Sequence, residues 1–260
     1  MIHEQMRVGF IGGGRVARVL VGGWRRAGAL SFQVLVNEPD DAAFERLAEL
    51  CPEVSRSSLA EAAAGDVVFL ALHPPVLASV LPVLRPCLDA RAIVISLAPK
   101  IPLSTLTAGL GTARVGRMIP NAPSIIGRGY NPVAFAGGLD ATARQILAPL
   151  FAPWGTWPEV DEKHLEAYAI LTGMGPTYFW YQWQALREVA GQMGLSADGA
   201  DDALRHMLDG AVATLLQSGL SPAGVMDLIP VRPLEAIEPS VSAAYRETLP
   251  ALFAKIRPTV

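Results

Sequence analysis

The apolar positions in the first part of the chain come as short unbroken runs: RVGFI at 7–11, FQVLVNE at 32–38, DVVFLAL at 66–72, AIVISLA at 92–98 and NPVAFAG at 131–137. Runs of this length without polar alternation predict strands buried on both faces, the habit of a parallel sheet covered by helices. GGGRVARVLVGGWRRAG reads as a loop entering a helix, and DAAFERLAEL as a second helix. ARVGRMI, ending at Ile119, is a more alternating strand-like piece. Strands and helices in alternation predict a doubly wound α/β domain. Between Trp154 and Glu162 the pattern changes. EKHLEAYAILTG, PTYFWYQWQALREVAGQM, ADDALRHMLDGAVATLLQSG and VSAAYRETLPALFAKI all carry helical periods, and no convincing strand follows Asp161. The expected organisation is an α/β domain over 1–158 and an all-α domain over 159–260.

Composition narrows the class. With 260 residues, 51% of them hydrophobic and 17% charged, the chain has the makings of a sizeable core and is not disordered. A net charge of −3 offers no electrostatic footprint for nucleic acid or an anionic membrane. The two cysteines, Cys51 and Cys87, have no metal-ligand spacing and suggest a reducing compartment, with no metal expected. The start MIHEQMRVGFIGGG lacks the basic and apolar regions of a secretory signal. The longest apolar stretch, Val67 to Leu84, is broken by Pro74, Pro75 and Pro82, so no membrane span is expected and the cytoplasm is the default.

The first chemistry-bearing motif is Gly12-Gly13-Gly14-Arg15-Val16-Ala17, a G-x-G-x-x-A directly after a strand and opening a helix. The first glycine permits a tight turn, the second lets a pyrophosphate approach the backbone, and the small last residue lets helix pack on strand. Free N–H groups at the helix start then face the phosphates. This is the arrangement of a Rossmann-type dinucleotide site. The second strand ends in Asn37-Glu38, where an acid accepts from the adenosine ribose hydroxyls and repels a 2′-phosphate. NAD is therefore favoured over NADP, with Arg15 and Arg18 as candidate phosphate partners that keep NADP open.

Two further segments are unusual. In RMIPNAPSIIGRGY, Pro120 and Pro123 stiffen the backbone around Asn121 and hold an amide donor and acceptor in place. Local features leave both a ligand-presenting Asn and a plain rigid turn open. In TGMGPTY, Gly173 and Gly175 allow close approach, Pro176 suits the first turn of a helix, and Thr172 and Thr177 carry hydroxyl donors. The helix start is a candidate carboxylate site, or else a cap packed on the first domain.

Several pieces in order along the chain resemble the pyrroline-5-carboxylate reductase family: VGFIGGGRVA, DVVFLALHPP, RMIPNAP, LTGMGPTYFW and LDGAVATLLQSGLSPAGVMD. The resemblance implies an N-terminal Rossmann domain, a C-terminal helical domain that dimerises by intertwining, and reduction of a cyclic imine to proline with NAD(P)H. It implies that Leu72, His73 and Pro74 contact the coenzyme and that Asn121 orients the nicotinamide and lines the substrate pocket. It matches Glu162 to a family acid, which either meets the substrate nitrogen or caps a helix. Asn121, Glu162 and Thr177 form the candidate catalytic set. Thr172, Gly173, Met174, Gly175, Pro176, Thr177 and Arg232 form the candidate substrate set, for a small imino or oxo acid. Two departures stand out: Met174 replaces the family's Ser, and DLIPVRPLEAIEPS (227–240) lacks the family's P-G-G-T-T. The aromatic run Tyr178, Phe179, Trp180, Tyr181 and Trp183 covers all sides of one helix, which fits the buried core of a homodimer, or a higher assembly built on it. A β-hydroxyacid dehydrogenase would need a catalytic Lys on the first long helix of its second domain, and Pro176 to Met193 contains none. A catalytically altered NAD(P)-binding protein, acting as a sensor or partner-binding module, is the alternative from another class.

Overall fold

The computed structural model describes residues 6–258; residues 1–5 and 259–260, at the outer limits of the two expected domains, lie outside it. The apolar runs form the strands expected of them. In chain order the first part folds as β1 (Arg7–Ile11), α1 (Arg15–Arg26), β2 (Gln33–Asn37), α2 (Asp41–Leu50), β3 (Val54–Arg56), α3 (Leu59–Ala63), β4 (Val67–Leu70), α4 (Pro74–Leu84), β5 (Ile93–Ser96), α5 (Leu103–Leu110) and β6 (Val115–Met118). There follow β7 (Gly129–Tyr130), β8 (Val133–Phe135), α6 (Ala141–Phe151) and β9 (Gly155–Thr156). The main sheet runs β3-β2-β1-β4-β5-β6-β8, and β7 and β9 pair separately. Its pairings are parallel except the last, where β8 runs antiparallel to β6. Strand order reverses between β1 and β4, and that switch point opens a crevice at the carboxyl ends of the strands.

The central strands β1, β4, β5 and β6 are buried on both faces, which is why the sequences of the first three do not alternate. Val8, Phe10, Val67 and Phe69 pack into one apolar cluster with α1, α2 and α6. Ile11, Val68, Leu70 and Val94 point to the other face, among residues of α4 and α5. The first cluster is built around aromatics. Trp24 and Trp154 stack with centroids 4.8 Å apart. Their indole N–H groups donate to Leu150 O and Leu20 O respectively, each at 2.7 Å, so neither is left unsatisfied in the core.

The chain divides into two compact units, one running through Met174 and taking in the segment from Leu252 on, the other Gly175–Ala251. The pattern change near 158 therefore precedes the division, because residues 159–174 pack with the sheet. They form a single 3₁₀ turn (Glu162–His164), α7 (Leu165–Tyr168) and a π turn (Ala169–Gly173), where one regular helix was expected. The second unit holds α8 (Trp180–Gln192), α9 (Ala197–Gln217), α10 (Pro222–Met226) and most of α11 (Glu238–Ile256). Only Gly175 and Ala200 are buried in it, and large apolar side chains are open along its length, Trp180 at 47%, Tyr181 at 67% and Leu216 at 74% exposure among them. Among the described residues no helix is long and apolar enough to cross a membrane.

Candidate functional site

The glycine loop has the geometry its sequence implies. Gly12 has φ +101°, a region that disfavours any side chain, and a Cβ there would lie 2.6 Å from Ala71 O. Its N–H donates to Asn37 O at 2.8 Å, tying the loop to the end of β2. At Gly13 a Cβ would press on Glu38 Cβ at 3.0 Å, while at Gly14 no atom lies within 4 Å, so that face of the loop is open. No side chain caps α1 and its first turn holds no acid, which leaves its amide donors facing the crevice. Ala17 is fully buried and serves the contact of helix with strand. A cradle that side chains would fill, open on one side to helix amides, fits a dinucleotide pyrophosphate.

The crevice, of about 790 Å³, is walled by Gly12, Gly14, Arg15, Val16, Glu38, Leu72, His73 and Pro74, all expected from sequence. Arg18 lines it too, and so do Asp40, Ala43, Arg46, Val76 and Leu97-Ala98-Pro99, which sequence reading had not assigned. Glu38 is held firmly: Oε2 accepts from Gly13 N at 2.8 Å and Oε1 from Asp40 N at 2.9 Å. Asn37 contributes differently than expected. Its amide turns away to Ser57 O at 3.2 Å, so its part in the site is the backbone carbonyl that anchors Gly12.

Asn121 sits in a second, smaller pocket of about 190 Å³, lined by Arg15, Val16, Val19, Pro120, Asn121, Ala122 and Gly173. Its backbone is extended (φ −131°, ψ 161°). Three bonds fix it: its N–H donates to Asn131 Oδ1 at 3.2 Å, its Oδ1 accepts from Tyr130 N at 3.1 Å, and its Nδ2 donates to Thr172 O at 3.3 Å. Asn131, fully buried, also accepts from Ser124 Oγ at 2.7 Å. An amide has two donors and two acceptor lone pairs, so Asn121 keeps bonding capacity for a ligand. The 3₁₀ turn after it (Ala122–Ile126) lies directly on α1, where Gly22 and Gly23 leave room for it. The helix that begins at the glycine loop thus also positions Asn121.

On β6, the strand that leads to Asn121, begins a buried ion cluster that sequence reading missed. Arg117, wholly buried on β6, pairs with Glu162 at 2.8 Å and with Glu166, itself 1% exposed. Glu162 Oε1 also accepts from Leu103 N, the first residue of α5, at 2.6 Å, and Glu166 Oε1 accepts from Lys100 N at 3.0 Å. Of the two roles open to Glu162, the structure shows capping, of α5. Both partners, Arg117 and Leu103, bond Oε1, and the side chain as a whole stays 32% exposed.

The remaining candidates divide. Thr172 and Gly173 belong to the π turn, with the Thr172 hydroxyl returned to Tyr168 O at 2.9 Å and its carbonyl taken by Asn121. Met174 closes that turn through its N–H to Ala169 O at 2.9 Å. Gly175, Pro176 and Thr177 form a 3₁₀ turn in the second unit, and the long helix starts only at Trp180. Pro176 therefore stands in a turn ahead of that helix and not in its first turn. Arg232 is engaged in its own segment. Its guanidinium pairs with Glu235 at 3.0 Å and with Glu238, so its charge is neutralised within its own segment.

Comparisons with known proteins agree with this geometry. The family model described as NADP oxidoreductase coenzyme F420-dependent matches residues 7–100, and the one described as pyrroline-5-carboxylate reductase dimerisation matches residues 162–231. The pyrroline-5-carboxylate reductase of Pseudomonas aeruginosa is 30% identical, over 84% of this chain and 81% of its own length. Pyrroline-5-carboxylate reductase 3 of Bos taurus is 32% identical, over 84% of this chain and 71% of its own. The crystal structure of Plasmodium falciparum pyrroline carboxylate reductase with NADP bound superposes with a TM-score of 0.72 over 97% of this chain and 94% of that one; at 20% identity, this is a likeness of fold.

Proposed function

The chain belongs to the pyrroline-5-carboxylate reductase family, and on that premise we propose that it reduces the C=N bond of pyrroline-5-carboxylate, or a closely related small imino acid, with NAD(P)H. The observation that carries this reading is that Arg15 and Val16 wall both the dinucleotide crevice and the Asn121 pocket. A ligand in the pocket is thereby set beside one end of a ligand in the crevice, as hydride transfer requires. The bound nicotinamide supplies the hydride.

The protein's own part is positioning. The glycine loop and the start of α1 hold the pyrophosphate, Leu72, His73, Pro74 and Leu97–Pro99 wall the crevice, and Asn121 presents its remaining amide capacity to nicotinamide and substrate. A cyclic iminium arrives already protonated on nitrogen and gains only the hydride at carbon, so no general acid is needed. The pinned carboxylate of Glu38 favours NADH, since it accepts from ribose hydroxyls and repels a 2′-phosphate. Arg18 and Arg46 line the same crevice, so Glu38→Ser shifts the kcat/KM ratio toward NADPH; an unchanged ratio removes Glu38 from the ribose site.

The helical segment from 159 on is assigned to dimerisation. Its match to a dimerisation family model and the open apolar surface of Phe179, Trp180, Leu215 and Leu216 support a homodimer. The second reading, a coenzyme-binding sensor without turnover, is favoured by one observation: the ion-paired Arg232 segment stands where the family carries its substrate loop. NADH and NADPH oxidation with pyrroline-5-carboxylate at neutral pH separates the two. Proline formation establishes the reductase; coenzyme binding without oxidation, across a panel of cyclic imines, establishes the sensor.

A further inference from the structure

Lys100 is the only non-glycine among the described residues with positive φ, at 75°. An L-residue there carries a steric cost that glycine escapes. The backbone is nonetheless fixed in place, because its N–H donates to Glu166 at 3.0 Å and Glu166 is buried and paired with Arg117. The side chain gives the fold nothing visible in return. Lys100 is exposed, and among the described residues no carboxylate pairs with its ammonium, both acids below it being committed to Arg117. A strained residue that the surroundings hold firmly, with a side chain free of structural duties, points to function.

Its place says which function. Lys100 directly follows Leu97, Ala98 and Pro99, which wall the crevice. Along the carboxyl edge of the sheet the order is β2 with Glu38, β1 with the glycine loop, β4 with His73, β5 with Lys100 and β6 with Asn121. Two strand spacings, roughly 10 Å, separate the phosphate-cradling loop from β5, the strand that leads to Lys100, and β5 is the direct neighbour of β6, the strand that leads to Asn121. The phosphates take the glycine loop and the start of α1, with Arg15, which walls both pockets, as their cation, whereas a substrate carboxylate brought beside Asn121 calls for a second one. We infer that Lys100 supplies it: its ammonium receives the carboxylate of the imino acid and is a specificity-determining group of this site. This rests on the reductase reading.

Lys100→Met removes the charge and keeps the backbone strain; Lys100→Gly removes both; Lys100→Arg keeps the charge. In the full-length protein, KM for pyrroline-5-carboxylate rises about ten-fold in the Met and Gly variants and stays within a few-fold in Arg, the size expected for one charge-assisted contact. Dissociation constants for NADH and NADPH change less than two-fold. Lys100→Gly also melts at or above wild type, since it relieves the left-handed strain. An unchanged KM in Lys100→Met overturns the inference, as does a loss confined to coenzyme affinity or a lower melting temperature in Lys100→Gly. If wild type itself shows no turnover, the reductase reading fails separately. Proline with NAD⁺ then decides: a rise in melting temperature in wild type but not in Lys100→Met upholds the cation site, and an equal rise or none in either overturns it.

Discussion

Gly23→Ala tests whether α1 carries Asn121 on its far end. In an open helix interior, replacing glycine by alanine stabilises by about 1 kcal/mol. At Gly23 the new Cβ would lie 2.5 Å from Ser124 O and 2.9 Å from Trp154 Cδ1. Neither atom can step aside cheaply. The Ser124 carbonyl accepts from Gly127 N at 3.0 Å within a turn whose hydroxyl is bonded to buried Asn131, and Trp154 is stacked on Trp24 and bonded to Leu20 O. The helix and the turn must separate, and overpacking of this kind costs about 1–3 kcal/mol. Set against the helical gain, the net is a destabilisation of up to roughly 2 kcal/mol, or up to about 8 °C in Tm. Gly22 is the internal control. A Cβ there meets the side chains of Ile125 and Leu50, both at 3.1 Å, which can rotate away. Gly22→Ala is therefore expected to be within about 0.5 kcal/mol of wild type. Calorimetry reads stability; kcat reads the displacement of Asn121, where a shift of about 1 Å costs on the order of a hundred-fold. A Gly23→Ala protein that melts as high as Gly22→Ala with unchanged kcat would refute the claim that this contact positions the site.

Asn121→Ala lowers kcat by roughly ten- to a hundred-fold while leaving the coenzyme dissociation constant within two-fold, as stopped-flow and fluorescence titration would show. Arg117→Met strands two carboxylates, one of them buried, and costs about 3–5 kcal/mol in urea unfolding; adding Glu166→Gln recovers part of that loss, and strict additivity would count against the cluster. Cys51 is buried and hydrogen-bonded to Glu53, and burial first, then that carboxylate, push its thiol pKa up to about 12. Native protein at neutral pH is therefore alkylated at Cys87, with Cys51 reacting only after unfolding, a difference that peptide mass spectrometry resolves.

What could be read from sequence followed from how far apart the interacting residues lie. The sheet was legible because strands buried on both faces leave unbroken apolar runs, and the glycine loop because each of its residues answers to a local backbone demand. β3 was not, since Val54-Ser55-Arg56 is a three-residue edge strand with one buried residue. The Arg117 cluster was invisible because its partners lie 45 and 49 residues away and ion pairing leaves no periodic trace. Glu162 and Arg232 stand out in the sequence as candidate catalytic and substrate-binding charges, but sequence does not say which charges pair with which. Leu97–Pro99 carried a signal that went unused: a proline just past an apolar strand marks the carboxyl edge of the sheet, where ligands bind.

The π turn at Ala169–Gly173 holds one residue more per hydrogen-bonded loop than an α-helix needs. Deleting a residue from this stretch would give a more regular helix, yet it would turn each position beyond the deletion by about 100° and carry the Thr172 carbonyl out of reach of Asn121. The surplus residue works as a phase shifter. It separates the angular setting of Glu162 and Glu166, which must face Arg117, from that of Thr172 and Gly173, which must face Asn121. Insertions and deletions here should therefore be selected against more strongly than substitutions, since a changed side chain alters one contact and a changed length alters the register of all of them.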